Sequence, residues 1–94
     1  MVWYLKVEWF HDFDDEPVEI YSEVGEDGYE SRKIEIFRDG RLEYADEHRE
    51  SGATFLSEAP VGAVEEIAAR DEFRPRAISE QEFEEVWARA AQEE

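Results

Sequence analysis

The sequence has 94 residues, 27 of them Asp or Glu and 10 of them Lys or Arg, so its formal net charge is −17. The length suits a single domain, residues 1–94, and the charge excludes a conventional DNA- or RNA-binding module, because affinity for a phosphate backbone needs clustered basic side chains. The sequence contains no Cys, which excludes a disulfide scaffold, a thiol nucleophile and a zinc ribbon.

The composition is that of a folded domain. Hydrophobic residues make up 41% of the chain and aromatic residues 14%, whereas disordered acidic chains are poor in aromatics. No window approaches about 18 consecutive apolar residues, so no membrane span is expected. The N-terminal residues contain no basic leader followed by a long apolar run, so no signal peptide is expected and the predicted location is the cytoplasm.

Four strands are predicted in the first half of the chain. Apolar and polar side chains alternate, with many β-branched and aromatic residues, in residues 3–10, 18–24, 29–38 and 41–45. Residues 11–17, 25–28 and 46–53 are predicted to be loops or turns, and residues 54–56 fit either a short fifth strand or an extended connector.

The clearest local signal is Asp39-Gly40, between the third and fourth strands. An Asp-Gly pair suits a two-residue type I′ turn, which needs positive φ at both positions. The sequence therefore predicts a tight β-hairpin at this point.

Two helices are predicted in the second half. Residues 62–70 carry apolar side chains at helical spacing, and Pro75 then interrupts the pattern. Ser79 and Glu82 form a capping box, flanked by Ile78 and Phe83 at the positions of a hydrophobic staple. The helix that follows has one apolar stripe, formed by Phe83, Val86, Trp87 and Ala90, and is expected to fray near residues 92–94.

Strands followed by helices predict an α+β fold. We expect an antiparallel sheet of four to five strands, an N-terminal meander, with one face packed by the two C-terminal helices. Phe83 and Trp87 are expected to pack on the apolar side of the alternating strands, which carries Trp3, Leu5, Trp9, Ile20, Ile34, Ile36 and Leu42.

The other face of this sheet is the predicted protein-binding surface. Aromatic side chains on it are ringed by carboxylates, the candidate residues being Tyr4, Glu8, Phe10, Glu19, Tyr21, Glu23, Tyr29, Glu35 and Phe37. Aromatics supply contact energy in interfaces, and acidic groups at the rim select a basic partner. Two alternatives are that residues 46–56 fold over this face, or that the aromatics only stabilise the sheet as cross-strand pairs.

The charge is concentrated in one part of the chain. Residues 7–31 contain ten acidic residues and no Lys or Arg. Such a field repels nucleic acid and anionic lipid and speeds encounter with a basic protein, so neither direct nucleic-acid binding nor membrane contact is expected.

Metal binding and catalysis have little support. His11, Asp12 and Asp14 place an imidazole and two carboxylates close together, but they lack the order of an EF-hand loop and the spacing of His-based metal motifs. No nucleophile elbow, P-loop or dinucleotide fingerprint is present. We therefore expect no metal, no cofactor and no enzymatic activity.

The whole chain resembles a family of small acidic bacterial domains that is described as a domain of unknown function. The resemblance is carried by Tyr4-Leu5-Lys6-Val7, Trp9, His11, Asp15-Glu16-Pro17-Val18, Tyr21-Ser22-Glu23, Glu30, Arg32-Lys33, Glu35, Phe37-Arg38-Asp39-Gly40, Ala45-Asp46, Pro60-Val61, Glu65-Glu66-Ile67-Ala68, Phe83-Glu84 and Val86-Trp87. It implies one compact cytoplasmic domain and no established activity. By analogy, small acidic bacterial proteins of this build resemble immunity proteins that neutralise toxins.

These observations predict a non-enzymatic protein-binding module, of an immunity or antitoxin-like kind, that engages a basic partner. One alternative is a nucleic-acid mimic that occupies the basic groove of a DNA- or RNA-binding protein. Another is a self-associating domain, so both a monomer and a homodimer remain open.

Overall fold

The computed structural model describes residues 1–50 and 54–92 and shows within them a five-stranded antiparallel sheet and two C-terminal helices. In chain order the elements are β1 (Trp3–Trp9), β2 (Glu19–Val24), β3 (Glu30–Ile36), β4 (Leu42–Asp46), α1 (Val64–Ala68), β5 (Phe73–Ile78) and α2 (Glu80–Gln92). The strand order is β4-β3-β2-β1-β5, so β1 to β4 form a meander and the predicted α+β class is confirmed. Of the predicted loop at 46–53 and the fraying helix end at 92–94, residues 51–53 and 93–94 lie outside the described residues.

The fifth strand lies where the sequence predicted a break. β5 pairs antiparallel with β1 and places Pro75 opposite Val7, whereas residues 54–56 belong to the connector between β4 and α1. β5 is an edge strand, and an edge tolerates proline because one side of the strand has no ladder to donate to. The interrupted pattern of Arg74, Pro75 and Arg76 hid this strand from the periodicity argument.

The β3–β4 hairpin has a different turn from the predicted one. Gly40 N–H donates to the Phe37 carbonyl at 2.9 Å, and Phe37 N–H donates to the Arg41 carbonyl at 2.9 Å. Gly40 has φ of 90°, and no non-glycine residue in 1–50 and 54–92 has positive φ. The loop is therefore a type I turn followed by a left-handed glycine, so the hairpin is confirmed and the type I′ assignment at Asp39 is wrong.

Half of the predicted capping box forms at the start of α2. Ser79 Oγ accepts a hydrogen bond from the Glu82 backbone N–H at 3.1 Å, which satisfies one free donor of the first turn. The Glu82 carboxylate instead accepts from Arg76 Nη2 at 2.9 Å, so it ties α2 to β5 rather than returning to its own cap.

α2 packs across one face of the sheet and closes the core. The buried cluster consists of Tyr21, Ile34, Leu42, Tyr44, Phe83, Val86 and Ala90, with Tyr4, Ile36, Ile78 and Trp87 packed against it. The predicted packing of Phe83 and Trp87 on Ile34, Ile36 and Leu42 is confirmed, and α1 contacts β5. In the described part of the chain, neither helix has the length and apolar character to cross a membrane.

The sequence predicted the wrong set of side chains from β1 and β2 to lie beneath α2. Direct cross-strand partners share a face, and the register pairs Lys6 with Tyr21 and Tyr21 with Ile34. The α2 face therefore carries the even residues of β1 and the odd residues of β2. The side chains predicted to lie beneath α2 from these strands occupy the opposite face, and they are Trp3, Leu5, Trp9 and Ile20. Both parities of β1 contain aromatic residues, so alternation alone could not decide which one faces the helix.

Candidate functional site

The nine residues predicted to form one binding face are distributed over the molecule. Tyr4, Glu8, Glu19, Tyr21 and Glu23 lie on the face that α2 partly covers. Glu35 lies on the opposite face, since it alternates with Ile34. Tyr21 and Phe37 are buried, whereas Phe10 and Tyr29 are exposed. The nine residues therefore do not form one exposed face, because they lie on both faces of the sheet and Tyr4 and Tyr21 pack in the core beneath α2.

Arg32 lies on the α2 face of β3, in contact with two carboxylates and two aromatic rings. Its guanidinium donates to Glu23 at 2.9 and 2.6 Å and to Glu84 at 3.1 and 2.6 Å. It also lies 4.9 Å from the ring centroid of Phe83 and 5.0 Å from that of Trp87. These interactions join β2, β3 and α2 through one side chain.

The pKa values around Arg32 follow from this packing. The hydrogen bonds from Arg32 lower the pKa of the Glu23 carboxyl, and the bond to Glu23 raises the pKa of the Arg32 guanidinium. Burial, with the hydrogen bond to Glu23 next, raises the pKa of Tyr4 to about 12. The polar groups here hold α2 on the sheet, so they are committed to the fold rather than free for a ligand.

On the opposite face, carboxylates fasten the connector that follows residues 51–53. Glu30 is buried and accepts from Ser22 Oγ at 2.7 Å and from the Ser57 backbone N–H at 2.8 Å, and Lys33 Nζ lies 3.2 Å from it. The Thr54 hydroxyl donates to Glu35 at 2.5 Å. The alternative in which residues 46–56 cover part of the sheet is thus realised from Thr54 onward, on the face that carries Glu35.

The loop of residues 11–17 is held in a defined shape by His11. The His11 Nε2 atom lies 2.8 Å from the Pro17 carbonyl oxygen, and the Phe13 N–H donates to Nδ1 at 3.0 Å. A carbonyl only accepts and a backbone N–H only donates, so these bonds require the Nε2–H tautomer. Arg38 Nη2 donates to the His11 carbonyl at 2.8 Å. The contact between His11 and Pro17 therefore joins the two ends of the loop, and Arg38 ties the loop to the turn between β3 and β4.

Aromatic side chains emerge at this loop. The ring centroids of Trp9 and His11 are 4.3 Å apart, and those of His11 and Phe13 are 5.3 Å apart. Phe13 is 60% exposed and Phe10 is 50% exposed. The His11 ring stacks against the exposed ring of Phe13, so the loop presents an apolar surface to solvent.

The carboxylates of the loop are not neutralised by the chain. Asp12, Asp14, Asp15 and Glu16 are exposed and form no ion pair with any residue in the described ranges. Six cations elsewhere are each paired with a carboxylate, and they are Lys6, Arg32, Lys33, Arg41, Arg70 and Arg76. We call residues 10–16 the acidic aromatic loop, and its negative charge is available to a partner.

Two clefts flank this loop. The first, which we call the Phe55 cleft, has a volume of about 400 Å³ and is lined by Asp15, Glu16, Pro17, Lys33, Glu35, Phe37, Arg41, Glu43 and Phe55. The second, which we call the Glu8 cleft, has a volume of about 520 Å³ and is lined by Glu8, Trp9, Phe10, His11, Asp12, Val18, Glu19 and Arg38. The loop is thus the shared wall of two concave surfaces.

The metal-binding candidates His11, Asp12 and Asp14 do not assemble a ligand set. Both ring nitrogens of His11 are used in hydrogen bonds, so a metal ion would have to displace one of them. Within residues 1–50 and 54–92, no three metal-ligating side chains are grouped together.

Sequence reasoning missed two parts of this surface. Phe55, which is 62% exposed, comes from residues 54–56, which the sequence predicted to be a short strand or a connector, and it lines the same cleft as Asp15 and Glu16. Phe13 carried a detectable signal, because a large aromatic flanked by acids in a polar loop has no place in a strand or helix pattern.

The chain belongs to the family described as Domain of unknown function (DUF6881), which matches residues 3–92. This confirms the resemblance seen in the sequence. No curated protein and no solved structure matches the chain significantly.

Proposed function

We propose that this member of the DUF6881 family is a non-enzymatic protein-binding module that engages a basic protein through the acidic aromatic loop. The observation that carries the proposal is the set of four exposed, unpaired carboxylates next to the exposed rings of Phe10 and Phe13. Aromatic anchors surrounded by charge are typical of interfaces that combine contact energy with electrostatic selection. An immunity or antitoxin-like role and a cytoplasmic location are parts of this proposal.

A pair of charge-matched variants tests the proposal. The loop variant carries Asp12→Asn, Asp14→Asn, Asp15→Asn and Glu16→Gln, and the control carries Glu47→Gln, Glu58→Gln, Glu65→Gln and Asp71→Asn at exposed positions outside the loop. Each removes four negative charges. Wild type and both variants are used to capture proteins from the native lysate, and the captured protein is then purified for calorimetry.

We expect the wild type and the control to retain one basic protein that elutes at raised salt. The loop variant should bind it about tenfold more weakly, since several charge pairs of roughly 0.2–1 kcal/mol each are lost. If both variants bind the captured protein equally weakly, the effect comes from net charge alone and the loop is not the binding site. Capture of no protein would also contradict the proposal.

Competition with duplex DNA separates this proposal from the nucleic-acid mimic. A mimic shares its site with DNA, so DNA would displace it from the captured protein. Under the proposal, the complex survives DNA at a concentration that saturates the partner's own nucleic-acid site. Sedimentation of the free chain at low and high salt tests the self-associating alternative.

A further inference from the structure

His11 fixes the conformation of the acidic aromatic loop through both of its ring nitrogens. Nε2 lies 2.8 Å from the Pro17 carbonyl oxygen, and Nδ1 lies 3.0 Å from the backbone nitrogen of Phe13. The first bond needs a proton on the ring nitrogen and the second needs a lone pair. Only the neutral ring protonated at Nε2 provides both. The loop is therefore held by a type of side chain whose charge ordinarily changes between about pH 5 and 8.

Protonation of His11 affects its two bonds differently. The added proton goes to Nδ1, because Nε2 already carries one. Nδ1 then becomes a donor that faces the N–H donor of Phe13, so this bond is lost. The Nε2–H group still donates to Pro17, and the ring centroid of Trp9, 4.3 Å away, lies within the range in which an aromatic ring attracts a cation. The change is therefore confined to the Phe13 side of the imidazole.

This side of the imidazole carries the most exposed ring of the loop. The rings of His11 and Phe13 are stacked, with centroids 5.3 Å apart and planes inclined by 28°, and the ring of Trp9 lies 6.5 Å from that of Phe13. Phe13 is 60% exposed. A residue this exposed has few packing contacts to hold it, so the hydrogen bond from its N–H to His11 is a main constraint on its position.

The charged groups around His11 come from the loop and from every element packed against it. Those that line the Glu8 cleft together with the imidazole are Glu8, Asp12, Glu19 and Arg38. Those on the side of β5, which contact each other or the rings of Phe10 and Phe73, are Arg70, Glu72 and Arg74. The loop itself adds Asp14, Asp15 and Glu16. Carboxylates ordinarily titrate near pH 4 and guanidinium groups above about pH 12, so a change between about pH 5.5 and 7.5 reports on an imidazole.

We propose that His11 is a pH-sensitive switch for the acidic aromatic loop. At neutral pH the uncharged ring holds the Phe13 N–H and positions the Phe13 ring, and in mild acid the protonated ring releases them. The inference goes beyond the proposed function, because it concerns the free chain and holds whether or not a basic protein binds the loop. Where the loop does bind a partner, its aromatic anchor is ordered at neutral pH and loosened in acid.

NMR of the ¹⁵N-labelled protein between about pH 5.5 and 7.5 tests the proposal. The imidazole nitrogen signals of His11 should show a proton on Nε2 alone at the upper pH and on both nitrogens at the lower pH. Exchange of the Phe13 N–H with water is compared with the intrinsic exchange rate at each pH. We expect its protection to fall about threefold to tenfold in acid, which corresponds to one lost hydrogen bond, with the same midpoint as the imidazole.

Two substitutions of His11 separate a switch from a purely structural role. His11→Asn supplies an amide oxygen that accepts from a backbone N–H two residues on and does not titrate, so Phe13 should stay protected at both pH values. His11→Ala supplies no acceptor, so Phe13 should be unprotected at both. His48→Asn changes the other histidine, at an exposed position outside the loop, and should keep the wild-type pH dependence. The amide signals of β2 and β3 show that each variant is folded.

Several outcomes overturn the proposal. They are a neutral His11 ring that carries its proton on Nδ1, protection of Phe13 that does not follow the titration of His11, a wild-type pH dependence in His11→Asn, and loss of the pH dependence in His48→Asn. The proposed function fails separately, when capture of a basic protein is insensitive to the loop charges although Phe13 responds to the His11 titration in the free chain.

Discussion

At the scale of single residues, Arg32 shows how an acidic chain uses its few cations. Most exposed salt bridges contribute little to stability. Arg32 differs because both of its ion pairs are bidentate and its guanidinium is covered by Phe83 and Trp87. Its partner Glu23 is only 15% exposed at the side chain, so removal of this carboxylate leaves a half-buried cation poorly compensated.

We expect Glu23→Gln to lower the free energy of unfolding at neutral pH by about 1–2 kcal/mol. The pKa of Glu23 lies below its ordinary value of 4.5 in the folded protein, so its contribution is present above that value and is lost as pH falls through the folded pKa. The difference in free energy of unfolding between wild type and Glu23→Gln should therefore be smaller in acid. Urea unfolding at pH 7 and pH 3 measures it.

The matched control for this experiment is Glu85→Gln, an exposed carboxylate on α2 whose only hydrogen bond in the described residues is to Gln81. It should change stability little at either pH. If the difference in free energy of unfolding between wild type and Glu23→Gln is the same at both pH values, the ionised form of Glu23 is not what stabilises the fold.

At the scale of elements, the hairpins depend on glycines in the left-handed region. Gly28 and Gly40 have φ of 85° and 90°. Each follows a type I turn, and its N–H donates three residues back, to Gly25 and Phe37 respectively. Residues with a Cβ atom rarely adopt this conformation, since the Cβ approaches the following carbonyl oxygen.

Gly40→Ala and Gly62→Ala form a matched pair for this effect. A Cβ atom at Gly40 meets no atom within 4 Å, so the cost is that of the backbone alone, and Gly62 has no positive φ and only ordinary contacts. We expect Gly40→Ala to cost about 1–2 kcal/mol. Gly62→Ala should be neutral or stabilise by up to about 1 kcal/mol. Equal effects in chemical denaturation would contradict a left-handed Gly40.

The elements also show where prediction from the sequence succeeds. Strands β1 to β4 and helix α2 were predicted within one or two residues, because alternation, turn glycines and the Ser79 cap are local signals. β5 was missed because Pro75 excludes a central strand but not an edge strand. Whether a strand is central or at the edge depends on pairing with β1, about 70 residues away in the chain, which local patterns do not contain.

At the scale of the whole molecule, negative charge exceeds what the cations can balance. The net charge is −17, and most cations are already paired with carboxylates. The excess is spread over the surface and includes the acidic aromatic loop. Repulsion between like charges opposes the compact state.

We expect NaCl to stabilise the protein, because screening weakens this repulsion more than it weakens the half-buried ion pairs. If 0.5 M salt recovers about 1 kcal/mol, the melting temperature should rise by about 4–8 °C. Thermal melts followed by circular dichroism at low and high NaCl measure this. The loop variant, with four fewer charges, should show a smaller rise, and a fall in melting temperature with salt would mean that ion pairs dominate.

The candidate site was only partly predictable because, as in the fold, local sequence patterns do not contain contacts between distant segments. The acidity of residues 11–17 follows from composition, and Phe10 was predicted to be exposed from its place in the alternation of the first strand. The sequence could not show that Tyr4 and Tyr21 lie beneath α2, since their rings suit either a core or a surface. Nor could it show that Phe55 lines the same cleft as Asp15 and Glu16, because these residues come from distant segments.

Local patterns in the sequence were enough to predict strands β1 to β4, both helices, the α+β class and the acidic character, because these depend on side chains within a few positions of one another. Long-range packing sets which face of β1 and β2 is covered by α2, which carboxylates are neutralised and which stay open to a partner. Those outcomes arise from contacts such as that of Arg32 with Glu84, 52 residues apart. The register of the sheet brings such groups together. Carboxylates that form ion pairs there stabilise the fold, whereas unpaired carboxylates remain free to contact a partner.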